Sequence, residues 1–152
     1  MIREITRNDR DSFLRLSDEF YKSEAVLHDI PAAYHEAAFD ELMRSKEYAS
    51  AYMIEWEGEI VGYLLTAKTY SREAGGLVLW LEEMYMRPAY RSKGLGKEAF
   101  AFIEALAARE NIRRLRLEVE EDNVRARSLY ERLGYRPLEY GQMVKELGEI
   151  YV

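Results

Sequence analysis

The stretch Leu79-Trp80-Leu81-Glu82-Glu83-Met84-Tyr85-Met86-Arg87-Pro88-Ala89-Tyr90-Arg91-Ser92-Lys93-Gly94-Leu95-Gly96-Lys97 runs from a β-rich segment through a glycine loop into a helix. Its first part, Leu77 to Met86, reads as a strand, and Arg87 to Lys93 as a loop. Beyond the loop, Leu95, Ala99, Phe102, Ile103 and Leu106 repeat at i, i+4, i+7, i+8 and i+11, the stripe of an amphipathic helix. A helix start presents unpaired N–H groups and the positive end of a dipole, and Gly94 and Gly96 let a bulky anion approach that backbone. Arg91, Lys93 and Lys97 add positive charge at the same place, so the loop suits a pyrophosphate. The glycines alone leave open the plainer reading of a turn with solvated basic residues around it.

Two other phosphate motifs compete. A Walker loop fails because Lys97 is followed by Glu98 and no earlier glycine has the required spacing. Gly94-x-Gly96-x-x-Ala99, with Glu118 or Glu120 further on, fits the spacing of a dinucleotide fingerprint. Its context is wrong: a long loop separates the strand from Gly94, and too little chain follows for the successive parallel strands of such a domain.

Working outward, Ile2 to Ile5 reads as a strand, and Thr6-Arg-Asn-Asp as an N-cap before a helix that lines up Phe13, Leu16, Ser17 and Phe20. A second helix is expected from Pro31 to about Arg44. Ala51 to Trp56 and Ile60 to Thr69 flank the turn Glu57-Gly58-Glu59 and form, with Leu77 to Met86, an antiparallel meander. Leu115 to Val119 alternates as a strand, Asn123 caps a short helix carrying Ala126, Leu129, Tyr130 and Leu133, and Gly134 ends it. That strand–helix–strand–helix order predicts a parallel crossover. Tyr135 to Leu147 reads as two more short β pieces around Gly141, with Gly148 to Val152 frayed. The expected fold is α+β (α/β): a central mixed, mostly antiparallel sheet of six to seven strands flanked by about four helices, in a single domain over residues 1–152.

The 22 basic and 28 acidic residues give a net charge of -6 with both signs interspersed, which speaks against a nucleic-acid partner. The chain has no cysteine, so disulfides, thiolate metal sites and a cysteine nucleophile are excluded. His28 and His35 lack a third clustered ligand, and no metal is expected; both read as surface or acceptor-site residues. A charged N-terminus and the lack of any apolar run near the ~20 residues of a membrane span point to no membrane association and a cytoplasmic protein.

Arg91-Ser-Lys-Gly94-Leu-Gly96 resembles the Arg/Gln-x-x-Gly-x-Gly/Ala signature of the GCN5-related N-acetyltransferase (GNAT) superfamily, with Ser92 where glycine is common. Leu79 to Arg91 is similar to that superfamily's fourth strand and exit loop, and Asn123-x-x-Ala126-x-x-x-Tyr130-x-x-x-Gly134-Tyr135 to its second signature. The Leu-Glu-Glu-x-Tyr form looks most like diamine (polyamine) acetyltransferases. The resemblance implies an acyl-CoA N-acyltransferase fold and an enzyme carrying acetyl from acetyl-CoA to a primary amine through a ternary complex, without metal. It assigns cofactor contacts to Met84, Tyr85, Met86, Arg91, Ser92, Lys93, Gly94, Leu95, Gly96, Lys97, Asn123 and Tyr130. It also implies that backbone N–H groups near Met84 to Met86 hold the developing oxyanion. Members of the superfamily often form homodimers.

An alkylamine with pKa near ~10.4 must lose a proton before its nitrogen attacks a thioester. Glu82 and Glu83 interrupt an apolar strand, so at least one should face a wet cleft. Mapped by the motif, Glu82 is the candidate general base and Glu83 grips a second ammonium of the substrate. The alternative for Glu83 is an outward-facing or ion-paired side chain. Tyr130 is the candidate donor to the leaving thiolate, while its place on the stripe with Leu129 and Leu133 also fits plain packing. Asn123 is explained by capping as well as by a cofactor contact. Asp18, Glu19, Glu24, Asp29, Glu36, Asp40 and Glu41 make an acidic stretch suited to a small cationic acceptor such as a polyamine. Aminoglycoside, amino-acid and protein or peptide N-terminal acceptors, and a non-catalytic acyl-CoA-binding module, are the alternatives.

Overall fold

The computed structural model describes residues 1–148, of which residues 1–116 form one compact unit and residues 117–148 a second. Five strands, β1 (Ile2–Glu4), β2 (Ala49–Trp56), β3 (Glu59–Ser71), β4 (Gly76–Met86) and β5 (Arg114–Leu117), lie side by side in chain order. The pairs β1–β2, β2–β3 and β3–β4 are antiparallel. Arg113, just before β5, donates its N–H to the carbonyl of Leu77 at 2.8 Å, so β4 and β5 start at the same edge, as a crossover requires.

Period-2 alternation gives the sheet two apolar faces. One buries Met53, Tyr63 and Tyr85 against Phe13 and Leu16 of α1 (Arg10–Tyr21) and Phe39 and Leu42 of α2 (Ala32–Arg44). The other buries Ile54, Val61, Leu64 and Leu79 against Leu95, Ala99, Ile103 and Leu106 of α3 (Leu95–Arg109), the stripe read from the sequence. Each fully buried Leu or Ile there contributes roughly 1.5–3 kcal/mol. Ahead of α1, the Asp9 carboxylate accepts from the Thr6 N–H at 2.7 Å and from the Arg3 guanidinium at 2.8 and 2.9 Å, which ties the first strand to the helix.

β4 departs from regular pairing once. Leu65 faces Glu83 and Thr66 faces Leu81, so Glu82 is an extra residue, a β-bulge. Before it, Leu79 and Leu81 face α3; after it, Met84 and Met86 do.

In the second unit, α4 (Val124–Arg132) is capped by Asn123, whose Oδ1 accepts from the Ala126 N–H at 3.2 Å, and ends at Gly134, with φ of 94°. The expected strand count of six to seven is corrected to five among the described residues. The two β pieces expected over Tyr135 to Leu147 do not form: no described residue beyond β5 is in a strand. Pro137 removes a ladder donor, and Tyr140, Met143, Val144 and Leu147 are exposed, so no neighbouring strand rewards the extension. Of the segment read as frayed, residues 149–152 lie outside the described residues. Among the described residues no helix is long and apolar enough to cross a membrane.

Candidate functional site

Adjacent residues on a regular strand point to opposite faces. The bulge in β4 lifts that restriction, and Glu82 and Glu83 both line one cavity of about 670 Å³ on the α1/α2 side of the sheet. Its walls are mostly apolar, with Phe20, Val26, Leu42 and Leu65 among them; Tyr21, His28 and Glu41 supply the other polar groups. The cavity thus combines mostly apolar walls with the carboxylates of Glu82 and Glu83 from β4 and of Glu41 from α2.

The two carboxylates differ in environment. Glu82 is exposed, whereas Glu83 is mostly buried and accepts the Tyr63 hydroxyl at 3.2 Å and that of Tyr21 as well. Burial pushes the Glu83 carboxyl up from 4.5 to about 7; the two phenolic donors pull against that rise, and the charge of Glu82 adds to it. Tyr63 is fully buried, and desolvation together with the Glu83 charge drives its own pKa far above the ordinary value, so it remains a donor. Tyr21 and Tyr63 escaped the sequence reading; for Tyr63 the available signal was that a tyrosine in the middle of an apolar strand needs a partner for its hydroxyl, and Tyr21, at the end of α1, carried none.

Much of the acidic stretch is consumed locally. Glu19 is bound by the Arg87 guanidinium at 3.1 Å and by the Tyr85 hydroxyl at 3.3 Å, Asp18 pairs with Lys22, Glu36 lies near Arg10, and Glu41 is bound by Arg44 at 2.6 Å. Of its members, Glu41 reaches the cavity. His28 lines the cavity, but His35, read as a surface or acceptor-site residue, is 5% exposed and bonded to Ser17. Among the described residues no group of three or more metal-ligating side chains occurs.

At the glycine loop, Glu98 N–H to Gly94 C=O at 3.1 Å is the first bond of α3, so the N–H groups of Leu95, Gly96 and Lys97 precede the helix ladder. Gly94 has φ of 82°, a left-handed conformation glycine adopts without strain, and Ser92 is at φ of 65°. A Cβ at Gly96 would meet nothing within 4 Å, so packing does not demand glycine there; the open approach to the backbone is what its absence provides. Leu95 anchors the loop in the core, Arg91 donates to the Met86 carbonyl at 3.0 Å, and Lys93 lies 5.5 Å over the Trp56 ring, leaving their charges beside the helix start. This set fits a pyrophosphate. β5, four residues long and starting beside Leu77, ends well short of Met84, Tyr85 and Met86 at the far end of the eleven-residue β4.

Asn123 and Tyr130 belong to the second unit. There the Tyr130 ring sits 6.1 Å from Tyr135, and burial raises its pKa, which keeps the phenol protonated at neutral pH.

Residues 11–135 match the family described as Acetyltransferase (GNAT) family. Thialysine N-epsilon-acetyltransferase of Bos taurus is 30% identical over 145 residues, 91% of this chain and 85% of that relative. Spermine/spermidine N(1)-acetyltransferase of Bacillus subtilis (strain 168) is 32% identical over 84 residues, and the match spans 53% of this chain and 55% of that relative. In three dimensions, the aminoglycoside N-acetyltransferase AAC(6')-Iy in complex with the bisubstrate analog CoA-S-monomethyl-acetylneamine has the same fold, with a TM-score of 0.79 over 97% of this chain and 98% of that one at 15% identity.

Proposed function

The chain belongs to the GNAT acetyltransferase family and is an acetyltransferase; from that premise we propose that it moves acetyl from acetyl-CoA to a primary amine of a small, cationic, alkyl-chain substrate of the polyamine class. The observation that carries this reading is the bulge that turns Glu82 and Glu83 into one apolar-walled cavity. Residues 1–152 are read as one domain doing this. When bound, acetyl-CoA supplies the acetyl thioester; Arg91, Ser92, Lys93, Gly94, Leu95, Gly96 and Lys97 would hold its pyrophosphate, with Met84, Tyr85, Met86 and Asn123 along the rest of the cofactor.

The motif reading gave the base to Glu82. The burial of Glu83 and its pKa of about 7 support the reverse division, and we assign the base to Glu83 and the grip on the ammonium to Glu82. A base near pH 7 is half ionised where the enzyme works, and takes a proton from an ammonium far better than one near 4. Tyr130, kept protonated by burial, is the assigned donor to the departing thiolate, supported by its spacing from Asn123.

Free-thiol release from acetyl-CoA, measured with spermidine, spermine, putrescine, a thialysine analogue, aminoglycosides, amino acids and short peptides, tests the reading. Selective turnover of the alkyl amines is expected. Turnover confined to aminoglycosides or peptides would remove the substrate assignment, and binding of acetyl-CoA without turnover on any amine would make the chain a non-catalytic binder.

A further inference from the structure

Next to Glu83 lies a run of buried polar groups, outside the cavity lining, that the acetyl-transfer reading does not use. The Tyr63 hydroxyl donates to Glu83 at 3.2 Å and Ser17 Oγ lies 2.5 Å from His35 Nδ1; Ser17, acting on Tyr63 as a donor that lowers its pKa, links the two pairs. Ser17 and His35 are 4% and 5% exposed, one on α1 and one on α2, so the chain stitches both helices to β3 and β4. Burying two polar side chains costs free energy that apolar residues would not, and their mutual hydrogen bond offsets part of it.

The direction of the chain follows from counting hydrogens. Tyr63 has one, and it goes to the carboxylate. Ser17 has one, and it goes to Tyr63. In the tautomer with the hydrogen on His35 Nδ1, the Ser17 hydrogen is available to Tyr63 and Nε2 is a bare acceptor. His35 Nε2 is indeed buried with no hydrogen-bond partner, where an N–H would be an orphaned donor.

We propose that Ser17 and His35 are positioning residues for Glu83: with Tyr63 they form a one-way donor chain, His35 to Ser17 to Tyr63 to Glu83, that holds the carboxylate in place and favours its ionised form. Each donor is made stronger by the one behind it, so the chain opposes the desolvation that burial imposes on the carboxylate. The other groups facing Glu83 are Tyr21 from α1, Glu82 from β4, Glu41 from α2 and His28 from the α1–α2 connection; Tyr85 lies 6.5 Å from the Tyr63 ring, and the Tyr21 ring packs on His35 at 5.5 Å. None of these changes in the variants below.

This inference rests on Glu83 being the base, and the test separates the two. The carboxyl carbon of Glu83 is followed by NMR in 13C-glutamate-labelled protein, assigned by its loss in Glu83→Gln, alongside the pH profile of kcat/KM. Ser17→Ala removes one oxygen, and of the near-isosteric pair His35→Leu and His35→Asn only the second keeps a side-chain N–H donor, together with an amide oxygen. In Ser17→Ala and His35→Leu the Glu83 midpoint and the acid limb of the profile should both rise by about half a unit to one unit, with His35→Asn restoring most of the shift. An unmoved Glu83 midpoint in Ser17→Ala, the mildest variant, overturns the proposal whatever the His35 variants do. A Glu83 midpoint that moves while the acid limb does not upholds the donor chain and overturns Glu83 as the base.

Discussion

Glu83 is held neutral over a wider pH range than an ordinary carboxylate, because burial raises its pKa from 4.5 to about 7. The folded state therefore binds this proton more tightly than the unfolded chain. The stability it contributes is complete below about pH 4.5 and is lost as pH rises through about 7. Glu83→Gln should then stabilise the protein at pH 8 by up to about 3 kcal/mol, with the gain vanishing near pH 4, as read from denaturant melts across pH. The same variant should lose on the order of 10²-fold or more in kcat. Activity of the wild type should rise with pH through about 7 as the carboxyl ionises. Ser92 makes a second residue-scale case. At φ of 65° it occupies a region in which a Cβ is strained, and the family resemblance places glycine there, so Ser92→Gly should raise stability by roughly 0.5–1 kcal/mol.

At the scale of an element, the β4 bulge separates function from folding. Leu79 and Leu81 before it, and Met84 and Met86 after it, already face α3, so the apolar pattern is that of a regular strand with Glu82 inserted. Deleting Glu82 should let β3 and β4 pair without interruption, with a Tm within about 5 °C of the wild type, while KM for a diamine rises several-fold. Unfolding of the deletion variant would show that the bulge is structural. In α3, by contrast, the sequence stripe and the packed face coincide, because a helix needs only its own period and one apolar partner surface.

The whole molecule carries a net charge of -6, and much of the acidity near the cavity is paired with local arginines and lysines. What remains toward a cationic acceptor is a short-range attraction at Glu82 and Glu83 over a weaker general field. Raising ionic strength from 0.05 to 0.5 M should lower kcat/KM for spermidine by roughly fivefold, and for a monoamine by clearly less. Equal losses for both would place recognition in the apolar walls.

The sequence by itself determined the meander, the glycine loop ahead of its amphipathic helix, and the Asn123 cap, because period, turn chemistry and capping are local properties of the chain. It also singled out Glu82 and Glu83, since charge in an apolar strand is visible without a fold. Only the tertiary structure decided that both face one cavity, that Glu83 is the less exposed of the two, and that Tyr63, with Ser17 and His35 bonded to each other, belongs to its surroundings. A bulge exists only relative to the register of a partner strand, and burial only relative to helices distant in sequence. The tail over residues 135–148 shows the same limit: its residues can be read as strands, and without a neighbour to pair with they form none.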